Sequence, residues 1–194
     1  MSKIDILLAG VGGQGTVLAS KLLARCAIAR GEKAHTAETI GMAQRGGCVT
    51  SHVRVGDAFS PLIPKGMADA IIAFEPAEAV RALPYLKVGG AVIVNTQAVK
   101  PVTDTLSASG YEAAQMIEFL KKIPARVVFV DGEEIARACG SPKVVNMALL
   151  GAAAETGAIG ATGAEIEQAA SSLAPKFREV NAKAIRLGAE AAKS

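Results

Sequence analysis

The chain has 194 residues, 51% of them hydrophobic, and a net charge of +3 from 21 basic and 18 acidic side chains. That length and apolar share suit one compact domain with its own core. Near-balanced charge and 4% aromatic content, with no Trp, argue against nucleic acid as a partner, and no apolar run approaches a membrane span.

In chain order, "KIDILLAG" reads as a β-rich run that reaches Gly10 too soon for a signal peptide. "QGTVLASKLLARCAIARG" has helical spacing at Val17, Leu18, Leu22, Ala24, Cys26 and Ile28, with a stop at Gly31. "KAHTAE" and "CVTSHVRVG" follow as strands, the second alternating Val49, Ser51, Val53 and Val55 with Thr50, His52 and Arg54. "ADAIIAFE" is a buried strand, and Pro76 after it suits the first turn of a helix. "GGAVIVNT" is a further strand, "EAAQMIEFLKKI" a helix and "ARVVFVDG" a strand. From residue 132 the texture becomes helical and Ala-rich. The expected fold is α/β: a Rossmann-like, mostly parallel sheet with helices on both faces and a helical C-terminal third. The expected layout is a single domain over 1–194, its core about 1–131 and its helical part about 132–194. That helical part should pack over the sheet or over a partner subunit.

Two short stretches carry candidate chemistry. Gly10, Gly12 and Gly15 form a G-x-G-x-x-G loop, with Gly13 and Gln14 inside it, between a strand and a helix. Such a loop lets backbone approach a ligand and offers helix N–H groups to an anion. A dinucleotide site also wants an acid at the end of the second strand, about 20 residues on. Glu38 lies beyond that spacing, and Glu32 falls in the turn before the strand. A dinucleotide, another anion and plain strand–helix packing therefore all remain open for the loop. The second stretch, "ETIGMAQRGGCVTSHVRVG", sets Gln44, Arg45, Gly46 and Gly47 before a strand. The planar donors of Arg45 suit phosphate or carboxylate. Glu75 and Asn95 end strands on the edge where ligands sit in such sheets, and either could equally be a cap or a turn former.

No catalytic residue is assigned. His35 and His52 are the only histidines, no Ser-His-Asp or Cys-His arrangement can be composed, and the loop lacks the Lys-Ser/Thr of a P-loop. Cys26, Cys48 and Cys139 stand far apart with no C-x-x-C pair, so no metal or cluster site is expected on this chain. Free cysteines fit a reducing cytoplasm.

Taken together, "ILLAGVGGQGTVLASKLLA", "ETIGMAQRGGCVTSHVRVG" and "SPLIPKGMADAIIAFEPAEAVRALPYLKVGGAVIVNT" resemble the gamma-type subunit of the 2-oxoacid:ferredoxin oxidoreductases, nearest to its indolepyruvate branch. The resemblance spans roughly residues 3 to 190. It implies oxidative decarboxylation of an arylpyruvate with coenzyme A to an aryl-acetyl-CoA, with reduction of ferredoxin. It further implies a large (alpha) partner subunit holding thiamine diphosphate and the [4Fe–4S] clusters, while this chain holds no cofactor alone. Gly10, Gly12, Gly13, Gln14, Gly15, Gln44, Arg45, Gly46 and Gly47 match the family's two motifs and are the expected cofactor-binding residues, with coenzyme A as the ligand. A stand-alone NAD(P)-dependent oxidoreductase is the alternative, resting on the glycine loop alone. An Ala-rich helical surface without its partner is also expected to favour a homodimer of the isolated chain.

Overall fold

The opening run IDILLAGV forms β1 (Ile4–Val11), an inner strand buried on both faces from Asp5 onward. A computed structural model describes it together with the rest of residues 3–40, 47–98 and 112–193. Gly13 and Gly15 after β1 both adopt positive φ, 98° and 87°, which only glycine takes without strain. The chain then enters α1 (Thr16–Ala29), which closes at Arg30 and Gly31. Next come β2 (Ala34–Ile40), β3 (Cys48–Val55), β4 (Ala68–Ala73), α2 (Pro76–Ala82), β5 (Leu86–Asn95), α3 (Ala113–Leu120) and β6 (Arg126–Val130). The last third is helical: α4 (Gly132–Cys139), α5 (Val145–Glu155), α6 (Gly163–Leu173) and α7 (Arg178–Ala191).

The six strands lie in the order β2-β3-β1-β4-β5-β6. The ladders β1–β4, β4–β5 and β5–β6 are parallel, whereas β3 runs antiparallel to both β1 and β2. The mostly parallel α/β expectation holds. β2 does not neighbour β1, because β3 folds back as a hairpin and fills the place between them.

Each face of the sheet has its own core. Ile6, Leu8, Val53, Ile72 and Ile93 pack with α1 and the C-terminal helices on one side. Leu7, Ala9, Ile71, Val92 and Val94 pack with α2 and Leu120 of α3 on the other. The helical third packs over the sheet, as one of the two alternatives expected for it. Residues Asn146–Ala153 of α5 are all buried, which explains why this helix reads as apolar around its whole circumference. α7 crosses it at glycine contacts: a Cβ on Gly151 would overlap the Ile185 carbonyl, and one on Gly188 the Ala148 carbonyl. The two backbones touch because neither position carries a side chain.

The alternation in β3 is real, yet its polar face is buried too. Arg54 pairs with Asp5 directly across the β1–β3 ladder, Nε–Oδ1 2.8 Å and Nη2–Oδ2 3.2 Å. Its Nη1 donates to the carbonyls of Ser60 and Leu62, at 2.8 and 2.9 Å, so the ion pair is fully engaged. His52 accepts the Ile63 N–H at Nδ1, 3.1 Å, and meets the Tyr85 ring edge-on. The chain between β3 and β4 thus covers the polar stripe with its own carbonyls and N–H groups.

Two outcomes follow from this packing. Gly151→Ala and Gly188→Ala should each destabilise by about 1–3 kcal/mol through overpacking. Alanine in a free helix would gain roughly 1 kcal/mol instead, so the sign of the shift in urea denaturation tests the α5–α7 contact. Burial, aided by the Arg54 charge, holds the His52 imidazole below the usual histidine range. Its contribution to stability is therefore present above the unfolded value of about 6.5 and lost as pH falls below it. Urea midpoints measured from about pH 8 to 5 should decline on the acid side, and His52→Asn, which can still accept from Ile63, should flatten that decline.

Candidate functional site

The parallel strands all point their carboxyl ends to one edge of the sheet, and that edge is where the glycine loop sits. β1 connects through α1 to one side, whereas β4 lies on its other side, so a crevice opens between them. A cleft of about 620 Å³ occupies it, of ordinary ligand-site size. Its walls come from the loop (Gly13, Gln14, Gly15), from the ends of β4 and β5 (Phe74, Asn95), and from the start of α5 (Val145, Asn146).

Gly10 owes its identity to packing, since a Cβ there would lie 2.8–2.9 Å from Gln14 Oε1, Phe74 Cβ and Thr16 Cγ2. The Gly12 N–H donates to the Gly47 carbonyl, 3.0 Å, which ties the loop to the chain entering β3. Gly13 is exposed, with open space where a side chain would stand. Gly15 is the N-cap of α1 and leaves the first-turn N–H groups without a side-chain acceptor. Gln44, Arg45 and Gly46 lie outside the described residues, although Gly47 is placed beside the loop.

The Gln14 side chain is engaged in the framework. Its Oε1 accepts the Val11 N–H at 2.7 Å, and its Nε2 donates to the Phe74 carbonyl at 3.2 Å. Asn95 Nδ2 donates to that same carbonyl at 3.2 Å, and Asn95 Oδ1 accepts the Gly132 N–H at 3.1 Å. Two side-chain amides thus lace the ends of β1, β4 and β5 to the start of α4. Glu75 caps α2 by accepting the Glu78 N–H at 3.0 Å, the role its position before Pro76 suggested.

Neither acid considered for a ribose stands near the loop. Glu38 is exposed on β2, separated from β1 by the whole of β3, about 10 Å of sheet. Glu32 pairs with Arg30 at the far end of α1, Nη2–Oε2 2.6 Å. The insertion of β3 between β1 and β2 in the sheet is the physical reason that Glu38 stands away from the loop. His35 lies on β2 and His52 is buried under the 57–67 segment, so neither faces the cleft.

Sequence reasoning missed Asn146, Lys143 and Gln97, which line the cleft together with the loop. The one available signal was Asn146 itself, a lone amide inside the apolar run "VVNMALLGAAA". Cys26, Cys48 and Cys139 are free thiols. Cys26 is buried, and burial pushes its thiol up to about 11. Cys48 instead donates to Glu78 Oε1 at 3.1 Å beside Arg81. Among the described residues no group of three or more His, Cys, Asp or Glu is placed to hold a metal ion, and no helix is long and apolar enough to cross a membrane.

Comparison with known proteins adds the following. Residues 5–191 match the family described as pyruvate ferredoxin/flavodoxin oxidoreductase. The indolepyruvate oxidoreductase subunit IorB of Archaeoglobus fulgidus is 44% identical over 150 residues, 77% of this chain and 75% of that protein. Its namesake from Pyrococcus horikoshii is 34% identical over 197 residues, covering 100% of this chain and 98% of the relative. Among solved structures, the keto/oxoacid ferredoxin oxidoreductase gamma subunit of Geobacter sulfurreducens superposes with a TM-score of 0.72 at 25% identity, over 98% of each chain.

Removing the amide hub should be costly. Asn95→Ala leaves the Gly132 N–H and one lone pair of Phe74 without partners in a buried setting. A loss of about 1–3 kcal/mol is expected, read as a lower urea midpoint with an unchanged slope.

Proposed function

Because the chain belongs to the pyruvate ferredoxin/flavodoxin oxidoreductase family, we propose that it is the gamma-type subunit of an indolepyruvate oxidoreductase and works only within a heteromeric complex. The observation that carries this reading is the end-to-end likeness to a subunit of that enzyme, 98% of the relative being covered. The reaction in this reading is oxidative decarboxylation of an arylpyruvate with coenzyme A, yielding an aryl-acetyl-CoA, carbon dioxide and reduced ferredoxin. Thiamine diphosphate and [4Fe–4S] clusters, held by the large subunit, supply the decarboxylation and electron transfer when bound there.

In this reading the whole chain acts as one domain, and its contribution is a wall of the coenzyme A site. Gly12, Gly13 and Gly15 would present backbone to the phosphates, with Gly46 and Gly47 giving the facing turn its freedom. Arg45 and Gln44 would supply side-chain donors, whereas Gly10 and Gln14 hold the loop in shape. The stand-alone NAD(P) reading loses its motivation, since neither Glu32 nor Glu38, the two acids it could use, stands beside the loop.

Reconstitution tests the proposal. The chain should co-purify with a cluster-bearing large subunit and be required for its indolepyruvate-dependent ferredoxin reduction. Arg45→Ala should raise the KM for coenzyme A by roughly 10–100-fold, the worth of a charged hydrogen bond, with kcat little changed. An active large subunit without this chain, or sub-millimolar NADH binding by the chain alone, would overturn it.

A further inference from the structure

We propose that Asn146, seated between the N-termini of α1 and α5, is an oxyanion-binding residue of the cleft, and that the cleft takes a diphosphate group. This deepens the coenzyme A reading above, and rests on it only for the identity of the molecule that carries the diphosphate.

Asn146 is 4% exposed and is the one polar side chain among the buried residues of α5. Its Oδ1 accepts the Met147 N–H at 2.9 Å. An N–H must meet an oxygen, so that bond fixes which end of the amide is which. The NH₂ group is thereby turned toward the glycine loop, 2.9 Å from where a Cβ on Gly15 would stand. Gly15 is thus glycine for two reasons, its positive φ and the amide lying over it. No acceptor for Nδ2 is present among the described residues, and Asn146 is part of the cleft lining. The NH₂ group opens into the cleft, where the oxygen of a ligand can accept from it.

What surrounds that donor selects the ligand's charge. α1 begins after Gly15 with no side-chain cap, and the turn Pro142–Val144 that leads into α5 is capped at its start by Ser141, whose Oγ accepts the Lys143 N–H at 3.4 Å. Both helices present the positive ends of their dipoles to one cleft, the arrangement that favours anions. Lys143, just before α5, lines the same cleft and adds a full positive charge. Glu133 is the one carboxylate of the lining, and it lies within 3.8 Å of Arg137 one turn along α4. Leu18, Pro142 and Val145 supply an apolar wall for the uncharged remainder of a ligand. Two helix ends, a lysine and an amide match an extended anion with several oxygens better than a single carboxylate.

Calorimetric titration of the full chain with inorganic pyrophosphate, and separately with coenzyme A, tests this. The unaltered chain should bind both. Asn146→Asp keeps an oxygen for the Met147 N–H and replaces the donor with a negative charge, so pyrophosphate affinity should fall at least tenfold. Lys143→Ala is on the surface, leaves the packed core alone and should weaken pyrophosphate several-fold while reducing its salt dependence. No binding by the unaltered chain, or affinities unchanged in both variants, overturns the proposal. The KM for coenzyme A in the reconstituted complex separates the two ideas. If Arg45→Ala raises it and Asn146→Asp does not, Asn146 is removed and the coenzyme A reading stands. If Asn146→Asp abolishes pyrophosphate binding while neither substitution moves the KM, the diphosphate cleft stands and coenzyme A is not its ligand.

Discussion

The carbonyl oxygen of Phe74 is the point on which the carboxyl edge of this sheet depends. It accepts from Gln14 on one side and from Asn95 on the other, while those amides hold the Val11 and Gly132 N–H groups. Parallel strands end with backbone groups that no neighbouring strand satisfies, and leaving them buried and unpaired would cost free energy. Two side-chain amides, each a donor and an acceptor, meet that demand and space the strand ends apart. These side chains brace the edge on which the cleft lies. Gly10 and Gly132 belong to the same device, since a Cβ at either would strike Gln14 or Asn95.

The second constraint is the hairpin β2–β3. By returning β3 antiparallel beside β1, the chain displaces β2 and, with it, Glu38, the acid nearest the end of the second strand. A Rossmann-type loop then remains without the partner that makes it a dinucleotide site. The Gly12–Gly47 hydrogen bond ties the loop to the chain entering β3.

Helix α5 is buried by the sheet beneath it and α7 above. The Gly151–Ile185 and Gly188–Ala148 contacts bring the helix backbones into touch. They hold α5 in the position from which its first turn reaches the glycine loop. Core packing therefore sets the geometry of the cleft, and Asn146 is delivered to Gly15 by a helix whose other buried residues are apolar.

Much of the fold was legible from residue pattern alone. Helical spacing from Val17 to Ile28, the stop at Gly31, the apolar runs at "ADAIIA" and "GGAVIVN", and Pro76 after a strand are local signals that report local structure. The glycine loop was legible for the same reason, as positive φ at Gly13 and Gly15 is a backbone demand written into residue type. Strand order was not, because nothing local distinguishes a β2 beside β1 from a β2 displaced by a hairpin. The burial of His52 and Arg54 was likewise hidden, since their partners are carbonyls and N–H groups of a segment with no pattern of its own. Asn146 lies 131 positions from Gly15 in the chain, and only tertiary packing brings an amide that reads as an interruption of an apolar helix onto the loop.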